Sequence, residues 1–133
     1  MNTSEKTYIG CPVQYVRLFI AGKWQMCILW NLQNQPLRFS EIKNLLPGIS
    51  DKTLMQELDF FVHEKVVERK TYRFPSPRVE YKLSGKGRSL IPVISTIVEW
   101  GYCYLQDQKA DKKMSLTPSS VIESIENRMA EIE

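Results

Sequence analysis

Apolar residues recur along this chain in two rhythms, and the places where one gives way to the other mark its elements. Val13, Val16 and Ile20 fall at helical spacing, and Phe19 widens the stripe. Pro12 suits the first position of that helix, where a missing N–H leaves nothing unpaired. Gly22 tolerates positive φ and is expected to close it. A second helix is predicted from about Lys23 to Leu32, with Ile28, Leu29 and Leu32 on its buried side, and Asn31 to Pro36 breaks it. Leu37-Arg38-Phe39 reads as a short extended piece. A third helix begins near Ser40, with Ile42, Leu45 and Leu46 as its i, i+3, i+4 stripe.

Pro47-Gly48 stops that helix and Ser50 restarts one at once, which sets two helices at a steep angle. Ser50 is a good N-cap and Asp51 a favourable first-turn anion. Leu54, Leu58 and Phe61, at i, i+4 and i+7, assign the buried face of this helix, which runs to about Lys65. Ser50, Lys52, Thr53, Gln56 and Glu57 are left toward solvent or a ligand.

From Val66 the period becomes two. Val79, Tyr81 and Leu83 alternate with Arg78, Glu80 and Lys82, and Val66 to Phe74 is the natural antiparallel partner. Pro75-Ser76-Pro77 makes a stiff tip. Ser84 then caps a long helix, expected to kink near Pro92 and to reach about Leu105. Leu90, Ile94, Ile97, Val98, Gly101 and Leu105 form its stripe, flanked by Trp100 and Tyr104. That is more apolar helix than a small domain needs for its own core. The surplus reads as a dimer surface; the alternative is a helix folding back to complete a monomer's core.

Three segments follow: a polar arm over 1–10, one domain over 11–105, and a charged linker with a possible last helix over 106–133. In that tail Ser120 and Glu123 are spaced as a capping box. Ile122, Ile125, Met129 and Ile132 form a short coiled-coil-like seam. The fold class is α+β, mainly helical: a winged helix-turn-helix with a two-stranded β-hairpin wing and N- and C-terminal helices, to which the family resemblance named below assigns dimerisation.

Composition narrows the function. At 133 residues the chain has room for one modest core. Its longest apolar run in the C-terminal half, Leu90 to Val98, is interrupted and too short to span a bilayer, so no membrane partner is expected. Met1 to Lys6 lacks the apolar core of a signal peptide, so the cytoplasm is the expected location. Net charge is only +3, but it is concentrated. Lys65, Arg69, Lys70, Arg73, Arg78, Lys82, Lys86 and Arg88 meet only Glu64, Glu68 and Glu80 across the hairpin and its flanks, enough to neutralise phosphates locally.

The candidate chemistry is recognition of double-stranded DNA. Lys52 can donate to guanine O6 or N7, Gln56 can pair with adenine, and Thr53 can touch a thymine methyl. Arg38 and Ser40, at the start of the preceding helix, suit phosphate contact. Arg73 and Arg78 on the wing suit the backbone or the minor groove.

The three cysteines, Cys11, Cys27 and Cys103, show no CxxC pair and form no zinc pattern with the lone His63, so no metal or cofactor is expected. Cys27, on an apolar helix face, reads as inert core. Cys11 precedes Pro12 at a helix N-terminus, a position that favours thiolate. It reads either as a redox or electrophile switch, with Cys103 of a second subunit as its partner, or as a small interface residue. The identity of any effector is left open. Catalysis would need Cys11 beside His63, and nothing in the sequence joins them.

In order along the chain, Cys11-Pro12-Val13, Gly22-Lys23-Trp24, Ile28-Leu29, Leu37-Arg38-Phe39-Ser40-Glu41-Ile42, Leu46-Pro47-Gly48-Ile49-Ser50, Pro77-Arg78-Val79-Glu80-Tyr81, Gly87-Arg88-Ser89-Leu90 and Glu99-Trp100-Gly101 form a specific set. With them the chain resembles the HxlR-type winged helix-turn-helix transcriptional regulators, MarR-like regulators of bacteria. The resemblance implies a homodimer on a palindromic operator, joined through Val13, Val16, Phe19, Ile94, Ile97, Val98, Trp100, Gly101 and Tyr104. It also implies that Ser50 to Gln56, Asp51 included, lie on the recognition helix and Arg78 on the wing. Many such proteins sense oxidants or electrophiles through a cysteine like Cys11.

The sequence departs from the family pattern at Met55, where a small hydroxyl residue is usual, at Glu57, where glutamine is common, and at Asp59, where a basic residue is common. Ser76 replaces a frequent proline. Asp51, Glu57 and Asp59 on the presumed reading helix favour the alternative function, a winged helix used only for protein contact.

Overall fold

The computed structural model describes residues 10–105. The N-terminal arm up to residue 9, the linker and the possible tail helix over 106–133 lie outside the described residues. The elements are α1 (Pro12–Ile20), α2 (Gln25–Asn31), α3 (Phe39–Leu45), α4 (Asp51–His63), β1 (Val67–Tyr72), β2 (Arg78–Leu83) and α5 (Gly85–Leu105). The fold is a winged helix-turn-helix with helices before and after it.

Ile28, Leu29, Ile42, Leu54, Leu58, Phe61 and Val66 are sealed from solvent at its centre. α1 is rotated from its expected orientation. Phe19 is its buried residue, edge-on to Tyr15 at 5.2 Å and 5.9 Å from the Phe60 ring of α4. Val13, at the other end of the expected stripe, is 68% exposed. The largest apolar side chain takes the core and the smaller β-branched one is left outside. Phe19 is thus a core residue rather than the interface residue that was expected.

Gly22 does not use the left-handed region. Its N–H donates to Gln25 Oε1 at 2.7 Å, and Gln25 Nε2 donates to the Leu18 carbonyl at 2.8 Å, so one buried amide ties the α1–α2 turn. Gly48, by contrast, has φ 95°, a conformation that favours glycine, and the Trp24 ring of the α1–α2 turn stands beside it. α3 ends one residue earlier than its apolar stripe suggests. Leu46 leaves helical geometry and turns inward, while Leu45 is half exposed.

α4 stops in a Schellman arrangement: Val66 N–H donates to the Phe61 carbonyl at 2.9 Å and Lys65 N–H to the Val62 carbonyl at 3.1 Å. Lys65 occupies the left-handed position with φ 63°. The wing pairs antiparallel from Val67↔Leu83 to Tyr72↔Arg78. A further bridge joins Leu37 to Tyr81 through reciprocal backbone hydrogen bonds of 2.9 and 2.8 Å, fastening the wing to the start of α3.

Ser84 caps α5, accepting from Gly87 N–H at 3.0 Å while its hydroxyl faces the Lys65 and Val66 carbonyls. The helix continues unbroken through Pro92. Its stripe divides in two. Ile94 is buried and Leu90, Ile91, Val98 and Tyr102 pack against the core. Val93, Ile97, Trp100 and Tyr104, spaced four, three and four apart, form a second, outward stripe. Ile94, expected at a subunit interface, therefore belongs to the monomer's core, and Val98 leans against it.

Candidate nucleic-acid interface

With Leu54, Leu58 and Phe61 facing in, α4 turns Asp51, Lys52, Met55, Gln56 and Asp59 outward. Ser50 is occupied by its capping role: its oxygen accepts from Thr53 N–H at 3.1 Å, and its hydroxyl donates to Thr53 Oγ1 at 2.9 Å. Thr53 is half-buried, and its Oγ1 accepts from the Ser50 hydroxyl while its own O–H and methyl are not committed by that bond.

The acids on this helix are largely offset from within. Lys43 Nζ pairs with Asp51 at 2.9 Å and donates to the Ile49 carbonyl at 2.9 Å, bracing the turn between α3 and α4. Arg69 of β1 stands 3.8 Å from Asp59. Glu57 is half-buried, and the loss of water around it holds its carboxyl above the usual carboxylate range. No hydrogen bond or ion pair among the described residues engages the side chains of Lys52 or Gln56.

At the start of α3, Arg38 N–H donates to the Glu41 carboxylate at 2.7 Å. The side chains of Arg38 and Ser40 are exposed beside it.

Arg69, Lys70 and Arg73 are exposed on the wing. Arg78 is not the outreaching cation the sequence suggested. Its Nε donates to Glu80 at 3.0 Å, its Nη1 lies 3.1 Å from the Phe74 carbonyl and 3.4 Å from that of Ser76, and its guanidinium stacks 4.1 Å from the Tyr72 ring centroid. Its side chain is only 19% exposed. The acceptors that surround it make this inward pose the satisfied one. Phe74, at the tip and 83% exposed, stands between Arg73 and the Pro75-Ser76-Pro77 turn.

Cys11 is the N-cap residue of α1 and borders a shallow recess with Gly10, Pro12 and Tyr15. Cys103 is half-buried near the end of α5, and both thiols are outside any disulfide. Burial pushes the Cys27 thiol up to about 11, in keeping with inert core. His63 faces Glu64 at 3.0 Å. No cluster of three or more potential metal ligands occurs among the described residues. No helix among them is long and apolar enough to cross a membrane.

Residues 19–109 match the family described as HxlR-like helix-turn-helix. The chain belongs to that family. One HxlR-like relative is the HTH-type transcriptional regulator YkvN of Bacillus subtilis, 35% identical over 102 residues, covering 77% of this chain and 86% of YkvN. Among solved structures, the redox regulator HypR in its reduced form shares 28% identity with a TM-score of 0.69, covering 74% of this chain and 98% of HypR. The reduced transcriptional regulator YodB from B. subtilis shares 29% identity with a TM-score of 0.63, covering 68% and 90%. YkvN and YodB are transcriptional regulators and HypR is a redox regulator, and this HxlR-like chain is a transcriptional regulator with a helix-turn-helix domain rather than an enzyme.

Proposed function

We propose that the protein binds a palindromic DNA operator as a homodimer, with α4 in the major groove and the wing beside it. The observation that carries this reading is the outer face of α4. Its acids Asp51 and Asp59 have cationic companions within the fold, whereas Lys52 and Gln56 are open to base edges. Arg38, Ser40 and Arg73 flank that face as phosphate contacts. The outward stripe of α5, with Ile97 38%, Trp100 69% and Tyr104 57% exposed, supports a second copy as its cover, joined by Val13 and flanked by Val16 and Gly101. Two recognition helices then meet successive major grooves about 34 Å apart.

Oxidant sensing through Cys11 extends the same reading. It is supported by the partly open position of that thiol and by the likeness to a redox regulator. Loss of two electrons and two protons from Cys11 and the Cys103 thiol of a second copy, to a peroxide or disulfide oxidant, would form an intersubunit disulfide. Non-reducing electrophoresis after mild oxidation tests it; a dimer band that persists in Cys11→Ser, or no such band, removes the disulfide.

The DNA reading is tested by selecting duplexes with the purified chain and titrating them by fluorescence anisotropy. Lys52→Ala should cost about 1–3 kcal/mol on the selected sequence. A wild-type chain with no affinity for any duplex at low salt, or one that sediments as a monomer, refutes the proposal.

A further inference from the structure

We propose that Phe74 is a DNA-contacting residue, an apolar wedge that the wing tip presents to the sugar walls of the minor groove, and that Arg78 is the brace that holds it there. The inference rests on the DNA reading above. Exposed apolar side chains standing alone are ordinary; the surroundings of Phe74 are not. It is more exposed, at 83%, than any other large apolar side chain among the described residues.

The backbone that carries it is pinned. Arg78 Nη1 reaches both the Phe74 and the Ser76 carbonyls, the same guanidinium is held by Glu80, and its flat face lies on Tyr72. Pro75 and Pro77 restrict the turn further. A side chain presented on so constrained a loop loses little conformational freedom when it docks.

Charge selects the occupant. Arg73 precedes Phe74 directly, and Arg69 and Lys70 lie along the same strand, all exposed. A cationic hairpin with an apolar point matches a polyanion whose groove walls are sugar carbons.

Reach agrees as well. Val67 is buried at the root of β1 and the strand has 6 residues, so its tip stands roughly 20 Å out at about 3.3 Å per residue. From a helix in the major groove the neighbouring minor groove lies half a turn away, roughly 17 Å. The Arg78 guanidinium is spent on the carbonyls of Phe74 and Ser76 and on Glu80, so the side chains that the tip presents outward are Phe74 and, beside it, the phosphate-directed Arg73.

The test is anisotropy of the full chain on duplexes selected with the wild type, over a series of salt concentrations. Phe74→Ala should weaken binding about tenfold with an unchanged salt slope, because an apolar contact releases no counterions, and with an unchanged thermal midpoint. Arg73→Ala should lower the slope by about one. Arg78→Lys keeps the charge but loses the fork, so it should weaken binding with the slope unchanged. Parental affinity in Phe74→Ala, a loss that comes with a shallower slope, or parental affinity in Arg78→Lys would each overturn the wedge while leaving the DNA reading standing. Absence of duplex binding by the wild type would remove both.

Discussion

The Lys86 ammonium donates to the Tyr15 hydroxyl at 2.6 Å, joining the first turn of α5 to α1 across most of the chain's length. The same ammonium donates to the Glu64 carbonyl at 3.0 Å, where α4 ends and its dipole favours a cation. It also lies 5.2 Å from the Tyr15 ring centroid and 5.0 Å from that of Phe19. One side chain thus gathers three helices at the edge of the Tyr15–Phe19–Phe60 aromatic contact. Lys86→Met and Tyr15→Phe should each lower stability by about 1 kcal/mol. In a double-mutant cycle read by urea unfolding the pair should lose less than the sum. Strict additivity would mean that the contact contributes nothing.

Gly87 lies against the Val66 carbonyl, so closely that a Cβ would collide with backbone rather than with a movable side chain. Gly87→Ala should therefore destabilise the chain by about 2 kcal/mol or more, although alanine is the better helix former. A melting temperature unchanged from the parent would contradict the packing described for the α4–α5 junction.

Lys65 holds a left-handed conformation at the end of α4 without glycine's freedom. Lys65→Gly should raise stability by about 1 kcal/mol, visible as a higher denaturant midpoint at constant m-value. Its backbone N–H and carbonyl keep their partners in the variant, so the gain isolates backbone strain.

Glu57 supplies a pH signature. Burial raises its carboxyl in the folded chain, so the folded state holds that proton more tightly than the unfolded state does. The stability so contributed is complete in acid below the ordinary carboxylate pKa and is lost as pH rises through the folded value. Glu57→Gln does not titrate, and its advantage over the parent should grow from acid to neutral pH. Unfolding curves that run parallel at every pH would rule out the desolvation account.

Helix positions and the wing were legible in the sequence because period and punctuation agreed there. Ser50 capped α4 as its type suggests, and Leu54, Leu58 and Phe61 all turned inward. The faces of the terminal helices were not legible. Phe19 and Ile94 sit on apolar stripes broad enough to serve either a core or an interface, and only the packing of α1 and α5 on their neighbours divides them. Arg78 misled for a different reason. A cation on a wing reads as a phosphate ligand until the carbonyls of Phe74 and Ser76 are seen to curl around it, and such acceptors leave no trace in a residue pattern. Gly22 shows the same limit: a buried glutamine three residues on, not the glycine's own freedom, shapes that turn.

The bridge between Leu37 and Tyr81 bears on which partner would yield in the DNA complex proposed above. The strand that carries the wing is stitched to the residue from which α3 departs, and α3 is strapped to α4 through Lys43 and Asp51. The hairpin is thereby tied to α4 through α3, and the span between the two is built into the fold. In the proposed complex, sites whose grooves do not already match that span would have to be bent or twisted to fit, at an energy set by their own stiffness. Base pairs that no side chain touches would then still influence where the protein settles.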